Sequence, residues 1–350
     1  MQKHNVKILM ITPFAKVQRG NSLTATRIKT GLIDRGFAID LLSLEDHNWR
    51  EQLQLALRQS AYSLVHGFHA LHFGQVLQSE PAIRELPVVL TTTGTDIYYD
   101  LWGVQKNIVV EAMQAVQKIV LFNDDFHHIL LTAFPEFQNK MTTIPQGVYL
   151  EKGIVKTRQE FGFLSDEFIF VLPSGLRPVK NIELAIDALT LLHQEHSVIR
   201  LLIIGAVIDK QYSYSIINRI RDLPWITYLG EIPHDQMAST LTLGDVVLNT
   251  SHSEGQPQAV LEAMSLGKPC ILTAVPGNLN LIQEGREGFY VKNREDLLLA
   301  AQTMVNSPAL REEMGLSARQ LIETRFTLPQ ELDAYSRLYQ EMIGINTFDI

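Results

Sequence analysis

The sequence predicts an α/β protein made of two doubly wound parallel sheets, and three observations lead to this fold class. Short apolar runs alternate with longer amphipathic stretches, as strands and helices do in such sheets. The length of 350 residues favours two domains. A proline and a glycine, Pro145 and Gly147, close the last apolar run of the first series. We therefore expect one domain over residues 1–150 and another over residues 151–326.

The first domain opens with a buried-strand pattern at residues 7–11, a loop to Asn21 and a helix pattern over residues 22–36. Further strands are expected at residues 37–42, 62–65, 87–92, 118–122 and 140–148. The second domain repeats the order, with a strand at residues 168–172 and a helix at 182–193. Its other strands are expected at residues 201–205, 226–230, 245–249, 270–273 and 289–291, and an amphipathic helix follows from Thr327.

Composition and charge narrow the class of protein. The chain is 46% hydrophobic and 19% charged, which is ordinary for a soluble globular protein, and its net charge of −8 argues against nucleic-acid binding. The single cysteine, Cys270, excludes a disulfide within the chain. The N-terminal apolar run ends at Pro13, which is too short for a signal peptide or a membrane span. We expect a cytoplasmic protein, with peripheral membrane contact left open.

The stretch 250–267 carries the strongest functional pattern. An apolar run, a polar turn, Pro257 and an amphipathic segment ending at Gly267 predict a strand, a loop and a helix, with Pro257 in the first helical position. The N–H groups near Gln258 and Ala259, with the partial positive charge of the helix, favour a phosphate there. Gly255 leaves room for a ligand to approach.

Two carboxylates flank this anion site. Glu254 lies in the loop, and Glu262 lies about one and a half turns into the helix, at 3.6 residues per turn. Each carboxylate can accept hydrogen bonds from a pair of hydroxyls, so the combination suits a nucleotide sugar. The alternative is that Glu254 only complements the helix dipole and that Glu262 is an exposed helix carboxylate.

Two cations follow the strand expected at residues 168–172. Arg177 and Lys180 lie at the edge of an open sheet where ligands bind, and there they would neutralise a diphosphate. As isolated residues they would be solvated surface charges.

The first domain offers weaker candidates. Three histidines, His66, His69 and His72, come at and after the strand at residues 62–65, but no carboxylate or cysteine pattern accompanies them. We interpret them as loop or pocket-rim histidines and expect no metal site. Asp96 or Thr95 is interpreted as a helix cap, and Asp124 with Asp125 as another.

Glu254-x7-Glu262 followed by Ala263-Met264-x-x-Gly267-Lys268-Pro269 resembles the donor-site signature of the family 4 glycosyltransferases, which have the GT-B fold. The resemblance implies two Rossmann-like domains facing across a cleft, with the helix 327–350 packing back on the first. It implies a nucleotide-sugar donor, with UDP the expected nucleotide, on the second domain and an acceptor on the first. It also implies retention of anomeric configuration without metal or other cofactor.

The resemblance assigns roles to residues. Arg177, Lys180 and Glu254 would be catalytic, the first two on the diphosphate and Glu254 on the sugar hydroxyls, while Glu262 would hold the ribose. Gly20 and Asn21 would close on the donor from the first domain. The other donor-binding positions would be Gly175, Ile232, Gly255, Gln256, Gln258 and Ala259, and contacts to sugar or acceptor would come from Thr93, Asp96 and His66.

Thr93 stands where many members of the family have a histidine, which leaves the sugar preference open. The motifs Gly20-Asn21-x-x-Thr24-Ala25-x-Arg27 and Gly175-Leu176-Arg177-x-x-Lys180 look most like the glycosyltransferase 1 domain-containing proteins and less like the selenosugar synthases. Alternatives are therefore a selenosugar-forming or epimerase-like use of a UDP-sugar, or a non-catalytic nucleotide-sugar binding protein. The acceptor, whether a small molecule, a glycan or a lipid-linked molecule, is not indicated.

Overall fold

The computed structural model describes residues 6–15, 20–150 and 156–344, and the side chain of Asn21 lies outside that description. The chain divides into two compact units. The first comprises Met1–Gly147 and Leu328–Ile350, and the second comprises Val148–Thr327. Each unit is built around its own six-stranded parallel sheet.

The sheet of the first unit has the strand order β2-β1-β3-β4-β5-β6, and every neighbouring pair is parallel. Its strands are β1 (Lys7–Thr12), β2 (Ala38–Ser43), β3 (Leu64–Phe68), β4 (Val88–Thr91), β5 (Lys118–Leu121) and β6 (Met141–Thr143). The helices between them are α1 (Gly20–Ile33), α2 (Trp49–Gln59), α3 (Ala70–Ser79), α4 (Thr95–Tyr98), α5 (Lys106–Ala115) and α6 (Asp124–Ala133).

The sheet of the second unit has the order β12-β11-β10-β7-β8-β9, again with parallel pairs only. Its strands are β7 (Phe168–Pro173), β8 (Ile199–Ile204), β9 (Ile226–Tyr228), β10 (Val246–Asn249), β11 (Cys270–Thr273) and β12 (Gly288–Val291). Its helices are α7 (Ile182–Glu195), α8 (Lys210–Ile220), α9 (Met237–Thr242), α10 (Gln258–Ser265), α11 (Arg294–Asn306) and α12 (Pro308–Arg325).

Both sheets are covered by helices and apolar side chains on their two faces. Strands buried on both sides read as continuous apolar runs, which is why the sequence pattern located them. The predicted α/β fold class is confirmed. Cys270, in β11, is fully buried.

The last helix, α13 (Leu328–Ile343), belongs to the first unit. It packs against α1 where Gly31 leaves space, because a Cβ built on Gly31 would lie 2.1 Å from Cδ1 of Leu332. Arg27 of α1 also reaches Glu331 of α13 with two hydrogen bonds, of 2.9 and 2.8 Å, and both side chains are almost completely buried. The helix is thus fixed by apolar packing and by a buried ion pair.

Several local predictions are wrong. The strand expected at residues 140–148 joins the sheet only over Met141–Thr143, and Val148 forms a separate bridge to Thr327. The cap of α6 is Asn123, whose side chain accepts a hydrogen bond from the N–H of Phe126, while Asp124 and Asp125 lie in the first turn. Among the described residues, no helix is both long and apolar enough to cross a membrane.

Candidate functional site

The order of the second sheet creates a crevice at the carboxyl ends of β7 and β10. These strands are neighbours, yet the chain leaves them toward opposite sides of the sheet, which is the arrangement at which open α/β sheets bind ligands. The loops that follow them are joined: the N–H of His252 donates to the carbonyl of Val179 at 2.8 Å, and Oγ1 of Thr250 donates to the carbonyl of Lys180 at 3.0 Å. The two loops therefore form one edge.

Glu254 lies at the centre of this edge and is buried, with 8% of its surface exposed. Three donors converge on its Oε1: Nζ of Lys180 at 2.6 Å, Oγ of Ser251 at 2.6 Å and Nδ2 of Asn249 at 2.9 Å. The Lys180 side chain is itself mostly buried. Charge-assisted hydrogen bonds of this kind are the strong ones, so Lys180 and Glu254 hold each other in place.

The pKa of Glu254 is lowered from its ordinary value. Burial alone would raise this pKa, but the charge of Lys180 and the hydrogen bonds from Lys180, Ser251 and Asn249 together outweigh it. Glu254 is therefore an ionised carboxylate, able to accept hydrogen bonds.

A second layer of buried polar side chains makes hydrogen bonds to Asn249 and Ser251, which in turn bind Glu254. Oδ1 of Asn249 accepts from Nδ2 of Asn278 and from the N–H of Ser251, each at 3.1 Å. Oγ1 of Thr273 donates to the carbonyl of Ser251 at 2.6 Å. The sequence interpretation missed this network, although polar residues closing two apolar strands, Asn249 and Thr273, were a signal for it.

Gly277 allows the loop after β11 to approach Glu254. The N–H of Glu254 donates to the carbonyl of Pro276 at 3.0 Å, and a Cβ on Gly277 would lie 1.7 Å from the carbonyl oxygen of Glu254. Gly277 also has φ +85°, in the left-handed region. Only glycine satisfies both conditions.

We expect Gly277→Ala to lower the free energy of unfolding by clearly more than Gly285→Ala. Gly285 has φ +78° but no atom within 4 Å of a built Cβ, so its variant has only the left-handed strain, about 1–2 kcal/mol. Gly277→Ala adds a backbone clash that must displace Glu254. Chemical unfolding of both variants measures the difference, and equal losses would contradict the close approach.

Arg177 follows β7 and precedes a short 3-10 helix, Pro178–Lys180. Its Nε is buried, and no hydrogen-bond partner for it occurs in the part of the chain that the structure describes. The same holds for Oγ of Ser174. Buried polar atoms are nearly always paired in native proteins, so unpaired ones at a strand end mark a candidate ligand site. Together with Lys180 they favour an anion.

The helix α10 begins at Gln258, and Pro257 is its N-cap rather than its first helical residue, so that prediction is wrong by one position. The remaining predicted positions lie around this start. Gly255 and Gln256 are in the loop before it, Ala259 is in its first turn, and Gly175 lies between β7 and Arg177. All of them are at the carboxyl edge of the sheet.

Glu262 lies within α10 and is buried, so the alternative of an exposed helix carboxylate is wrong. Its Oε1 is 3.2 Å from Nε2 of His234. The ring of His234 stacks on Tyr149, with centroids 6.4 Å apart and planes inclined by 12°. Ile232, two residues before His234, is partly buried against the core. Sequence reasoning did not single out His234 or Tyr149, since nothing local relates either to Glu262.

The first-unit candidates take different places. His66 lies within β3 and is fully buried, with Nδ1 2.5 Å from the Tyr339 hydroxyl and Nε2 2.7 Å from Oγ1 of Thr91. Its interpretation as a loop or pocket-rim histidine is therefore wrong. Burial lowers the pKa of His66 to about 3, so it is neutral.

Asp96 is also fully buried. Its carboxylate accepts from the backbone N–H groups of Ala70, Thr93 and Gly94 at 2.9, 3.0 and 2.8 Å. It therefore fixes the start of α3 and the loop after β4, and neither Asp96 nor Thr95 caps α4 by a side-chain bond. Gly20 is the first residue of α1, and the prediction for the Asn21 side chain lies outside the described residues.

The chain matches the Glycosyl transferases group 1 family over residues 154–321. The second unit is a group 1 glycosyltransferase domain. The matched range contains every candidate residue of the second unit, from Gly175 to Glu262. The chain thus contains a glycosyltransferase domain.

Similar proteins extend the match beyond that domain. Glycosyltransferase 1 domain-containing protein 1 of Xenopus tropicalis is 24% identical over 348 residues, which is 95% of this chain and 97% of that protein. Sucrose-phosphate synthase of Thermosynechococcus elongatus has a TM-score of 0.82 at 16% identity, over 97% of this chain and 99% of that one. HepE of Anabaena, solved with UDP and glucose, has a TM-score of 0.79 at 18% identity, over 96% and 100%. The solved structures show the GT-B fold.

The glycosyltransferase has no cluster of three or more histidine, cysteine or carboxylate side chains able to hold a metal ion within the described residues. The cations that follow β7 at the carboxyl edge of its second sheet are Arg177 and Lys180.

Proposed function

We propose that this glycosyltransferase transfers a sugar from a UDP-sugar to a hydroxyl acceptor, with retention of anomeric configuration and without a metal ion. The observation that carries the proposal is the group at the β7 and β10 ends: an ionised, buried Glu254 paired with Lys180, beside an Arg177 whose Nε has no protein partner in the described chain. These groups carry charges opposite to those that develop on the sugar and on the diphosphate during sugar transfer.

Cleavage of the bond between sugar and diphosphate places positive charge on the sugar ring and negative charge on the departing diphosphate. Arg177 and Lys180 would bind the diphosphate, the guanidinium through a fork of N–H groups and the ammonium as a point charge. Stabilising charge where it develops is usually the largest catalytic contribution. Two fixed cations would supply the charge that a metal ion supplies in other transferases.

The two carboxylates would divide the donor between them. Glu254 lies beside Lys180 and would accept hydrogen bonds from sugar hydroxyls. Glu262 lies farther along α10, where a ribose would exchange the contact of His234 for its own hydroxyls. The start of α10 would contribute N–H groups to the phosphates.

The choice of UDP as the nucleotide rests on the similarity of this chain to a solved structure that contains UDP. HepE of Anabaena was solved with UDP and glucose, and the second unit of this chain has the same fold. We propose the first unit as the acceptor side, since every donor candidate with a described side chain lies in the second.

A thermal-shift screen without added metal tests the donor. A ligand that binds only the folded protein stabilises it by about 2.7 kcal/mol at a hundred times its Kd, so UDP and UDP-sugars should raise Tm while GDP and ADP should not. Absence of any shift would contradict the donor site and favour a non-catalytic protein. Isomerised sugar formed without acceptor would favour an epimerase-like reaction instead.

Three variants test the division of roles. Arg177→Ala and Glu262→Ala are expected to weaken UDP binding by roughly 10- to 100-fold, since each removes charged hydrogen bonds. Glu254→Gln is expected to leave UDP binding unchanged but to weaken binding of the UDP-sugar. Calorimetric titration with both ligands measures this, and Arg294→Ala, an exposed arginine, is the control. Equal loss of UDP affinity in all three variants would overturn the assignment.

A further inference from the structure

The carboxyl edge of the first sheet holds a second group of polar side chains, distinct from the donor residues. Phe14 follows β1, His69 and His72 follow β3, and Thr95 with Asp100 follows β4. Because the strand order is β2-β1-β3-β4, the chain leaves β1 and β3 toward opposite sides, which makes this edge the crevice of the first unit.

His69 has an unusual backbone for its residue type. Its φ is 68° and its ψ is 109°, and its peptide groups are fixed by bonds of 2.9 Å from its N–H to the Thr91 carbonyl and from the Phe73 N–H to its own carbonyl. Residues other than glycine seldom have positive φ, and such strain persists where the surroundings enforce it, often at functional sites. The backbone thus places the imidazole in a set position.

The His69 side chain is buried, and one of its two ring nitrogens has a hydrogen-bond partner among the described residues. Only 5% of the residue is exposed. Nε2 lies 2.9 Å from Oγ1 of Thr95 and 3.7 Å from Oδ2 of Asp100, whereas Nδ1 is buried without a hydrogen-bond partner among the described residues. A carboxylate facing Nε2 favours the tautomer with its proton on that nitrogen. The lone pair of Nδ1 is then available to accept a hydrogen bond.

Among the described residues, the groups beside His69 add no positive charge to this edge. Asp96 is occupied by three backbone N–H groups. The pKa of His72 is lowered to about 4, chiefly by burial and also by His69, with a smaller opposing effect of Asp96. The pKa of Asp100 is raised by burial and by Asp96, against His69. The described strand ends, residues 13–15, 69–72 and 92–100, contain no lysine or arginine.

We propose that this edge binds the acceptor as a neutral, hydroxyl-bearing molecule of the sugar or polyol class, whose hydroxyl donates to Nδ1 of His69. The proposal rests on the transfer reaction proposed above. Phe14, whose ring meets that of His72 edge-on at 6.1 Å, supplies an apolar wall suited to the C–H face of a sugar. The described residues at this edge include no lysine or arginine that could bind an anionic acceptor.

Nuclear magnetic resonance of the full chain with ¹⁵N-labelled histidine tests the site without any donor. The expected spectrum shows Nδ1 of His69 unprotonated, and addition of methyl α-glucoside shifts that signal. L-malate, the anionic comparison, leaves it unchanged. A protonated Nδ1, or a response to malate alone, would overturn the proposal.

Two variants separate the imidazole nitrogens. His69→Asn places an amide oxygen near the position of Nδ1 and tolerates positive φ, whereas His69→Gln reaches the position of Nε2 and leaves Nδ1 without a substitute. We expect KM for methyl α-glucoside to rise about tenfold or more in His69→Gln, the loss of about one good hydrogen bond, and less in His69→Asn.

The Tm shift given by the UDP-sugar should stay unchanged in both variants, and His128→Gln, on an exposed histidine, is the control. Equal KM values in the two variants would overturn the role of Nδ1. Failure of the wild type to bind UDP-sugars would instead contradict the proposed function. The two failures can be told apart because the resonance experiment is performed without a donor.

Discussion

Lys180→Met is expected to reduce kcat for sugar transfer by roughly 10²- to 10³-fold, the usual loss when one group that stabilises the developing charge is removed. Lys180 would bind the departing diphosphate, and at 2.6 Å it neutralises Glu254. The variant therefore loses a cation and leaves a buried carboxylate facing only Ser251 and Asn249. Initial rates at saturating donor measure the effect.

The same variant should change the pH dependence. In the wild type the pKa of Glu254 lies below its ordinary value, so the ionised form contributes stability above the ordinary pKa, and this is lost as pH falls through the lower folded value. Without Lys180, burial dominates and the pKa rises, because the charged form is then poorly solvated. The acid limb of kcat should move to higher pH. Lys292→Met, on an exposed lysine, is the control, and an unmoved limb with normal kcat would contradict the pairing.

Glu331→Ala is expected to destabilise the first unit by about 3–5 kcal/mol, as removal of one partner from a buried ion pair does. The variant leaves Arg27 charged and almost fully buried, with Gln146 at 3.3 Å as a remaining contact. For a unit of this size each kcal/mol lowers Tm by about 2–4 °C. Calorimetry should show the transition of the first unit falling while that of the second stays.

A matched pair lies on the same two segments. Arg35 and Asp333 are also 2.8 Å apart, but the Asp333 side chain is 54% exposed and that of Arg35 is 28% exposed. Asp333→Ala should therefore cost at most about 1 kcal/mol. Equal effects of Asp333→Ala and Glu331→Ala would show that burial is not what makes the Arg27 pair important.

The strands were predictable where burial on both faces gives a continuous apolar run. Residues 270–273 were predicted to the residue, and β7, β8 and β10 to within two residues at either end. The prediction failed at β6, an edge strand whose apolar pattern continues past its last pairing residue, Thr143. An apolar run indicates that a segment is buried, whereas the extent of its strand pairing depends on the neighbouring strand.

The candidate site was predictable in its residue types but not in its contacts. Arg177, Lys180, Glu254 and Glu262 stand out by their place after apolar runs. That Lys180 and Glu254 bind each other follows from the adjacency of β7 and β10, which no local pattern encodes. His66 was misplaced for the same reason, since its partners Thr91 and Tyr339 are distant in sequence and make a polar residue acceptable inside a strand.

The position of α13 in the sequence governs the order in which this protein can mature. Tyr335 and Tyr339 fill the core of the first unit, and Glu331 neutralises Arg27, yet all three follow the whole of Val148–Thr327. During synthesis the second unit can therefore complete its core while the first still lacks a buried layer and keeps an unneutralised arginine. We therefore expect the first unit to be the last to become native, and until then to be the part that chaperones and proteases recognise.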